Sequence, residues 1–258
     1  KAELNAVCND FLENSFDHLA KGKPLFQDKY DTRCPFPGLG VFDKVNVNGH
    51  QEDYRDFFFG RDEEIKTICD MEKELKFVAV IGGSGSGKSS LIRAGVIRQL
   101  EIDTRNKNTN ESFKSITLPP GNDPVQKLKA ELEKIPNPNL IFIDQFEELF
   151  TICGEKQRRE FIKTLLELRE HGKSIITTMR QEFLGDCLVI EELHPLITTS
   201  LQRLKPIETL KLDRLRDVVN RQAETANLRF EPGLLAIIFD DLHNERGAMP
   251  LLQHCLRQ

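Results

Sequence analysis

The sequence contains a glycine-rich octapeptide, GGSGSGKS, whose residue types suit the binding of a polyphosphate. It spans residues 82–89 and matches the pattern G-x-x-x-x-G-K-[ST]. Glycines let successive backbone N–H groups converge on one anion, because no Cβ atom holds the ligand away. Lys88 would reach the terminal phosphates of a nucleotide, and the Ser89 hydroxyl would complete a Mg²⁺ shell. The residues assigned to this site are Gly82, Gly83, Ser84, Gly85, Ser86, Gly87, Lys88, Ser89 and Ser90.

A second group of chemically useful residues lies in the stretch LIFIDQFEELF. Asp144 follows four apolar residues, at the strand end where parallel sheets bind ligands, and could hold Mg²⁺ through water. Glu147 or Glu148 could orient a water molecule that attacks the γ-phosphate. Only one of them is needed, and the other would simply favour a helix N-terminus. The sequence leaves this choice open, with a slight preference for Glu148.

Two arginines complete the set. Arg180 follows the apolar run SIITTM and could form charge-assisted hydrogen bonds with a γ-phosphate. A salt bridge to Glu182 or to a neighbouring helix is an equally good interpretation. Arg61 lies before a helix in FFFGRDEE, where an ordinary surface charge is the alternative. The three phenylalanines at 57–59 suit packing beneath the site, and one of them could line a base pocket.

These residues need a parallel sheet to bring them together. Apolar runs at 77–81, 113–118, 140–143 and 174–178 alternate with helical segments that begin near Lys88, Pro124, Gln145 and Lys156. Short, fully apolar strands that alternate with helices are typical of an α/β fold with a parallel sheet covered on both faces. Because the glycine loop falls between such a strand and such a helix, a flexible Gly/Ser turn that matches by chance is disfavoured.

The flanking regions have different patterns. Residues 2–20 have the apolar spacing of an amphipathic helix, which could couple to a preceding effector or pack on the sheet, and a helix is expected over 63–74. Residues 103–112 read as a mobile surface loop. Strand signals fade after about Pro206, and three helical patterns follow. We therefore predict a connector region at 1–34, a nucleotide-binding domain at 35–206, and a small helical lid subdomain at 207–258.

Composition narrows the class of protein. The formal net charge is −5 with both signs interspersed, and the sequence has no basic arm that would favour a nucleic-acid partner. The six cysteines are widely spaced with no C-x-x-C pair, which favours a reduced, cytoplasmic compartment over disulfides or a zinc site. No apolar run is long enough to cross a bilayer. The chain starts at Lys1 and ends inside a helical pattern, so we expect it to be a piece of a longer protein.

Several blocks together carry a family resemblance: PFPGLGVF, FFFGRDEE, the glycine loop, LPPGNDPVQKL, IFIDQFEELF, TTMRQEFLGDCL and GAMPLLQHCL. From about Pro35 onwards the chain resembles the novel STAND type of NTPase, signal-transduction ATPases with numerous domains that are relatives of NACHT and apoptotic ATPases. The resemblance implies a P-loop NTPase fold of the AAA+/STAND kind. It further implies a switch that binds ATP or ADP with Mg²⁺, hydrolyses ATP weakly, self-associates, and activates an attached effector. The effector and the sensor domains would belong to the same longer chain.

The resemblance also implies residue roles. The glycine loop with Lys88 and Ser89 would bind phosphate and Mg²⁺. Asp144 with Glu147 or Glu148 would form the Walker-B site, and Arg180 would sense the γ-phosphate. Arg61 would lie near the adenine, and Pro250 would contact the base, although Ala248 replaces the family's glycine. Two rival functions remain open, a scaffold that holds nucleotide without turnover and a P-loop ATPase that acts on nucleic acid.

Overall fold

The computed structural model describes residues 33–38, 40–47, 50–106, 112–242 and 248–257. The predicted helix at 2–20 lies outside these residues. The fold begins with an antiparallel hairpin that the sequence pattern did not predict, formed by β1 (Lys44–Val47) and β2 (His50–Asp53). One 3₁₀ turn (Tyr54–Phe57) then leads to the first long helix. The hairpin carries exposed side chains, so it lacks the apolar run that marks a buried strand.

A four-stranded parallel sheet forms the centre of the fold. Its strands are β3 (Phe77–Gly82), β4 (Ser115–Leu118), β5 (Leu140–Ile143) and β6 (Ser174–Arg180). The strand order is β3-β6-β5-β4. The register places Gly82 opposite Arg180 and Ile143 opposite Thr177, so the three strand ends meet at one edge. The predicted α/β fold with a parallel sheet is confirmed.

Helices cover both faces of this sheet. They are α1 (Asp62–Leu75), α2 (Lys88–Ser90), α3 (Arg98–Asn106), α4 (Pro124–Lys134), α5 (Glu148–Thr151), α6 (Glu155–Glu170), α7 (Leu184–Leu188) and α8 (His194–Arg203). A π-helical stretch (Leu91–Ile97) joins α2 to α3. One core packs α4 and α6 against one face of the sheet, and a second packs α1 and the π-helical stretch against the other.

Some local predictions were wrong. The loop predicted at 103–112 is helical as far as Asn106, where α3 ends, and residues 107–111 lie outside the described part. The helix expected near Gln145 begins three residues later, at Glu148, because Gln145 has a left-handed φ of 56° and precedes a turn. Strand signals fade after Pro206, yet Ile207 forms a parallel bridge to Gly82 on the open side of β3. Helices α7 and α8 were not predicted.

Three helices follow Pro206 in the described part of the chain, as predicted. They are α9 (Leu212–Thr225), α10 (Leu234–Asp241) and α11 (Ala248–Arg257). Their buried side chains, including Leu215, Phe239 and Leu252, form a cluster of their own with Phe36. The domain boundary at residue 206 stays a prediction. No helix among the described residues is long and apolar enough to span a membrane.

Candidate nucleotide-binding site

A cavity of about 260 Å³ lies at the carboxyl edge of the sheet. Its walls come from the glycine loop, from the ends of β5 and β6, from residues near the start of the described chain, and from α9 and α11. Among the residues predicted from sequence, those that line it are residues 84–90, Arg61, Asp144, Glu147 and Arg180. Glu148 lies outside this lining, and the side chain of Pro250 lies outside the described part of the structure.

The glycines of the loop have two different structural roles. Gly87 lines the cavity with a φ of 86°, and a Cβ atom added there would meet no described atom within 4 Å. The backbone is therefore bare where a ligand would approach. A Cβ added at Gly82 would instead lie 2.3 Å from the carbonyl oxygen of Ile207. Gly82 is thus needed for the close approach of two backbones, a role that the loop motif alone does not reveal.

Lys88 provides the positive charge of the loop. Its ammonium group donates hydrogen bonds to the carbonyl oxygens of Gly82, at 3.0 Å, and Gly83, at 2.7 Å. Burial lowers the pKa of Lys88, while the nearby carboxylate of Glu147 favours its charged form and partly offsets that effect. Helix α2 begins at this lysine, and the first N–H groups of a helix lack partners within the helix. A cation and free N–H groups together suit an anionic ligand.

Ser89 and Asp144 meet at the base of the loop. The Ser89 hydroxyl donates a hydrogen bond of 2.7 Å to Oδ1 of Asp144, and the Thr178 hydroxyl donates one of 2.6 Å to the same oxygen. Asp144 is only 6% exposed. Hydroxyl and carboxylate oxygens are the ligands that Mg²⁺ prefers, so this pair fits a magnesium ion that is shared with phosphates.

An orphaned polar atom also points to a ligand. Ser86 is 5% exposed and lines the cavity, and its hydroxyl has no hydrogen-bond partner among the described residues. A buried hydroxyl without a partner is unfavourable, and a polar ligand in the cavity would satisfy it. The residues present therefore fit a nucleotide with Mg²⁺.

The two glutamates point to different places. Glu147 is 8% exposed and lines the cavity, and its Oε1 forms an ion pair with Nε of Arg180 at 3.2 Å. Its Oε2 accepts a hydrogen bond from the backbone N–H of Arg180 at 3.3 Å. Glu148 instead accepts a hydrogen bond of 2.9 Å from the N–H of Gly121. Arg180 thus pairs with Glu147, which directly precedes helix α5. The sequence had offered Glu182 or a neighbouring helix as alternative partners.

Arg61 is buried rather than a surface charge, since it is only 8% exposed. Its Nη2 donates to the carbonyl oxygen of Ser86, at 3.2 Å, and to that of Glu208, and its Nη1 pairs with Glu64 at 2.8 Å. It therefore joins the glycine loop to the segment that follows Ile207. Because its hydrogen bonds go to protein atoms, this arrangement suits a residue that holds the loop in position.

The cavity lining also includes phenylalanine rings and two amides. Phe58 and Phe59 line it, whereas Phe57 is fully buried behind them. Gln222 donates a hydrogen bond of 2.9 Å to the carbonyl oxygen of Phe57, and Gln253 donates one of 2.9 Å to Oε1 of Gln222. Apolar walls with a few buried polar groups suit a planar base. Sequence reasoning missed both glutamines, because single glutamines within helical patterns match no motif.

A sequence model of the novel STAND NTPase 1 family matches residues 35–258 of the chain. Comparison with curated protein sequences gives no significant match. The fold is similar to that of the Aeropyrum pernix ORC2 protein, whose structure contains ADPNP–ADP complexes, with a TM-score of 0.57 and 14% identity over 86% of this chain. The chain spans 64% of the length of that protein, and the likeness is one of fold alone.

Two further solved structures match with lower TM-scores. AMPPCP-bound DnaA from Aquifex aeolicus has a TM-score of 0.49 and 14% identity, over 76% of this chain and 61% of its own. The Walker-type ATPase of Pyrococcus abyssi has a TM-score of 0.47 and 13% identity, over 83% of this chain and 69% of its own.

Proposed function

We propose that the chain, which belongs to the novel STAND NTPase 1 family, binds ATP with Mg²⁺, hydrolyses it slowly, and uses the bound nucleotide to control self-association. The observation that carries this proposal is that one cavity brings together Lys88, Asp144 with Ser89, and Glu147 with Arg180. Each of these groups suits a different part of a magnesium-bound triphosphate, and they come from three separate strand ends.

The residues that line the cavity indicate how the nucleotide would lie. The glycine loop and Lys88 would hold the phosphates, and the base would lie against Phe58 and Phe59. Gln222 and Gln253 come from the helices that we assign to the lid subdomain, so the lid would contribute the base end of the site. Arg61 would act through the loop that it holds rather than by touching the base.

Hydrolysis would depend on the residues at the other end. Mg²⁺, bound by Ser89 and through water by Asp144, would supply charge neutralisation of the phosphates. We assign the water-orienting role to Glu147, because it lines the cavity while Glu148 accepts a hydrogen bond from the N–H of Gly121. Arg180 would move from Glu147 to the γ-phosphate of ATP, which would free the carboxylate for that water.

The binding site is tested by replacing Lys88. We expect Lys88→Ala to reduce the affinity for ATP and ADP at least tenfold in calorimetry while the thermal midpoint stays close to that of the parent chain. Lys156 is an exposed lysine on α6, so Lys156→Ala is the matched control and should bind nucleotide normally. Equal nucleotide affinity in the two variants would mean that Lys88 does not contribute to nucleotide binding.

The catalytic assignment is tested with two neighbouring substitutions. We expect Glu147→Gln to retain ATP and lower its turnover by roughly 100-fold or more, the usual contribution of a general base. Glu148→Gln should retain turnover within about tenfold, because its amide oxygen can still accept from Gly121. The opposite result would move the role to Glu148. Turnover absent from the parent chain, alone and in its longer protein, would favour a scaffold that only holds nucleotide.

Self-association is the remaining part of the proposal. Glu147→Gln would trap the ATP-bound state, so light scattering should show larger assemblies with ATP than with ADP. An effector that such a switch would activate, and a sensor that would trigger it, would be further domains of the same longer chain. A particle size that is the same with either nucleotide, in the chain and in that longer protein, would contradict this step.

A further inference from the structure

Arg93 connects the carboxylate of the proposed metal site with an acidic residue near the cavity wall. Its Nη2 lies 3.2 Å from Oδ2 of Asp144, and its Nη1 lies 2.8 Å from Oδ2 of Asp43. The guanidinium also lies over the Phe142 ring, 5.9 Å from its centroid. The Nε atom of Arg93 is buried and has no hydrogen-bond partner in the described part of the chain. One guanidinium is therefore shared between two carboxylates, and its Nε–H group has no acceptor among the described residues.

Asp43 ends a segment that forms one wall of the cavity. Residues 40–42 line the cavity, and Phe42 packs edge to face on Phe58 with 5.6 Å between ring centroids. The carbonyl oxygen of Asp43 accepts a hydrogen bond of 3.0 Å from the N–H of Tyr54. The Asp43 side chain is thus the link between this wall, which we call the 40–43 wall, and Arg93.

The position of Arg93 on its helix explains how it reaches Asp144. Ser89 lies four residues earlier, and residues at this spacing share one face of a helix. The two side chains approach Asp144 from the same face, Ser89 at Oδ1 and Arg93 at Oδ2. Arg93 also belongs to the π-helical stretch Leu91–Ile97, and such wide turns are frequent at functional sites.

We propose that Arg93 and Mg²⁺ compete for Asp144, and that this competition couples the metal site to the 40–43 wall. The inference rests on the proposed nucleotide-binding function. A buried carboxylate needs a positive partner, and without metal Arg93 provides it. With metal bound, Asp144 has a second source of positive charge that repels the guanidinium, so the pairing of Arg93 shifts towards Asp43. Metal occupancy would thereby strengthen the hold on the 40–43 wall.

The competition predicts that substitutions of Arg93 and of Asp43 change the effect of Mg²⁺ on ADP binding in opposite directions. Arg93→Gln removes the competitor, so the factor by which Mg²⁺ tightens ADP binding should rise about fivefold, as expected for one partly exposed ion pair. Asp43→Asn leaves Asp144 as the one carboxylate that Arg93 contacts among the described residues, so the same factor should fall about fivefold. The double variant should match Arg93→Gln within about twofold, since Asp43 acts only through Arg93.

The factor is measured by calorimetry with ADP, in excess Mg²⁺ and in EDTA, on the complete chain. Arg98→Gln is the matched control, because Arg98 lies on the next part of the same helix and pairs with Asp56 instead of Asp144. That control should leave the factor unchanged. The conservative Asp43→Asn variant keeps the test decisive even if Arg93→Gln proves unstable.

The outcomes separate this inference from the proposed function. A parent chain whose ADP affinity does not respond to Mg²⁺ would overturn the proposed metal site and this inference with it. A parent chain that responds, with variants that leave the factor within twofold or move it in the same direction, would overturn the competition alone. In that case Arg93 is a structural residue, and only the thermal midpoint should change.

Discussion

Gly82 and Gly83 are adjacent, and the structure gives them opposite tolerance to an added methyl group. A Cβ atom at Gly82 would lie 2.3 Å from the Ile207 carbonyl oxygen, whereas one at Gly83 would meet no described atom within 4 Å. Neither glycine has a positive φ, so alanine suits both backbones. Replacing each by alanine therefore isolates one contact, the approach of the Ile207 backbone to the end of β3.

The expected cost of Gly82→Ala follows from that contact. The Ile207 backbone must retreat from 2.3 Å to at least 3.0 Å, and the movement strains the hydrogen bond from the Ile207 N–H to the carbonyl oxygen of Ile81. Overpacking costs about 1–3 kcal/mol and a lost hydrogen bond about 1 kcal/mol, so the free energy of unfolding should fall by about 2–4 kcal/mol. In a chain of this size the thermal midpoint should fall by roughly 5–15 °C.

Thermal and urea denaturation followed by circular dichroism provide the measurement. Gly83→Ala is the matched control and should unfold within about 2 °C of the parent chain, since its added methyl group meets open space. A Gly82→Ala midpoint as close to the parent chain as that would refute the reasoning, because it would mean that Ile207 does not close the open side of β3. If Gly83→Ala were the more destabilised variant, the contact would have been assigned to the wrong glycine.

Two further predictions concern buried groups away from the site. Ser200 is fully buried and accepts a hydrogen bond of 3.0 Å from the N–H of Ala79 in β3, so Ser200→Ala should lower the free energy of unfolding by about 1–3 kcal/mol in urea. Thr199→Ala, its neighbour on the more exposed side of α8, should cost less than about 0.5 kcal/mol, and equal costs would contradict this role of Ser200. Burial raises the pKa of Cys69 and of Cys187 to about 12, so at pH 8 both thiols should resist alkylation until the chain unfolds. Above pH 9 the unfolded thiols lose protons that the folded ones keep, so the free energy of unfolding should decline as the pH rises. Rapid alkylation of the folded chain at pH 8 would contradict the burial of these thiols.

The strands of the central sheet were predictable because each is a short apolar run buried on both faces. Leu140–Ile143 was predicted with its observed bounds, and the strand predicted at 113–118 begins at Ser115. The β1–β2 hairpin was missed because its side chains are largely exposed and give no such run. Helices α7 and α8 were missed because they lie in a stretch of mixed polarity after β6.

Among the residues of the candidate site, too, some could be found from the sequence and others could not. Residues that belong to a motif, such as Lys88, Ser89 and Asp144, were found from spacing, and the structure brings them together. Their roles remain predictions. Arg93, Gln222 and Gln253 were missed because their significance depends on partners that are distant in the sequence.

The sequence by itself determined which segments form the parallel sheet, where the phosphate loop lies, and to which family the chain belongs. These properties are local, since they follow from apolar runs, glycines and motif spacing. The tertiary structure decided which of two adjacent glutamates faces the cavity, because Glu147 pairs with Arg180 at the end of β6 while Glu148 accepts from the N–H of Gly121. It also decided that Gly82 serves Ile207, and that Arg93 joins Asp144 to Asp43. Such pairings depend on how strands and helices are placed in space, and no short stretch of sequence contains that information.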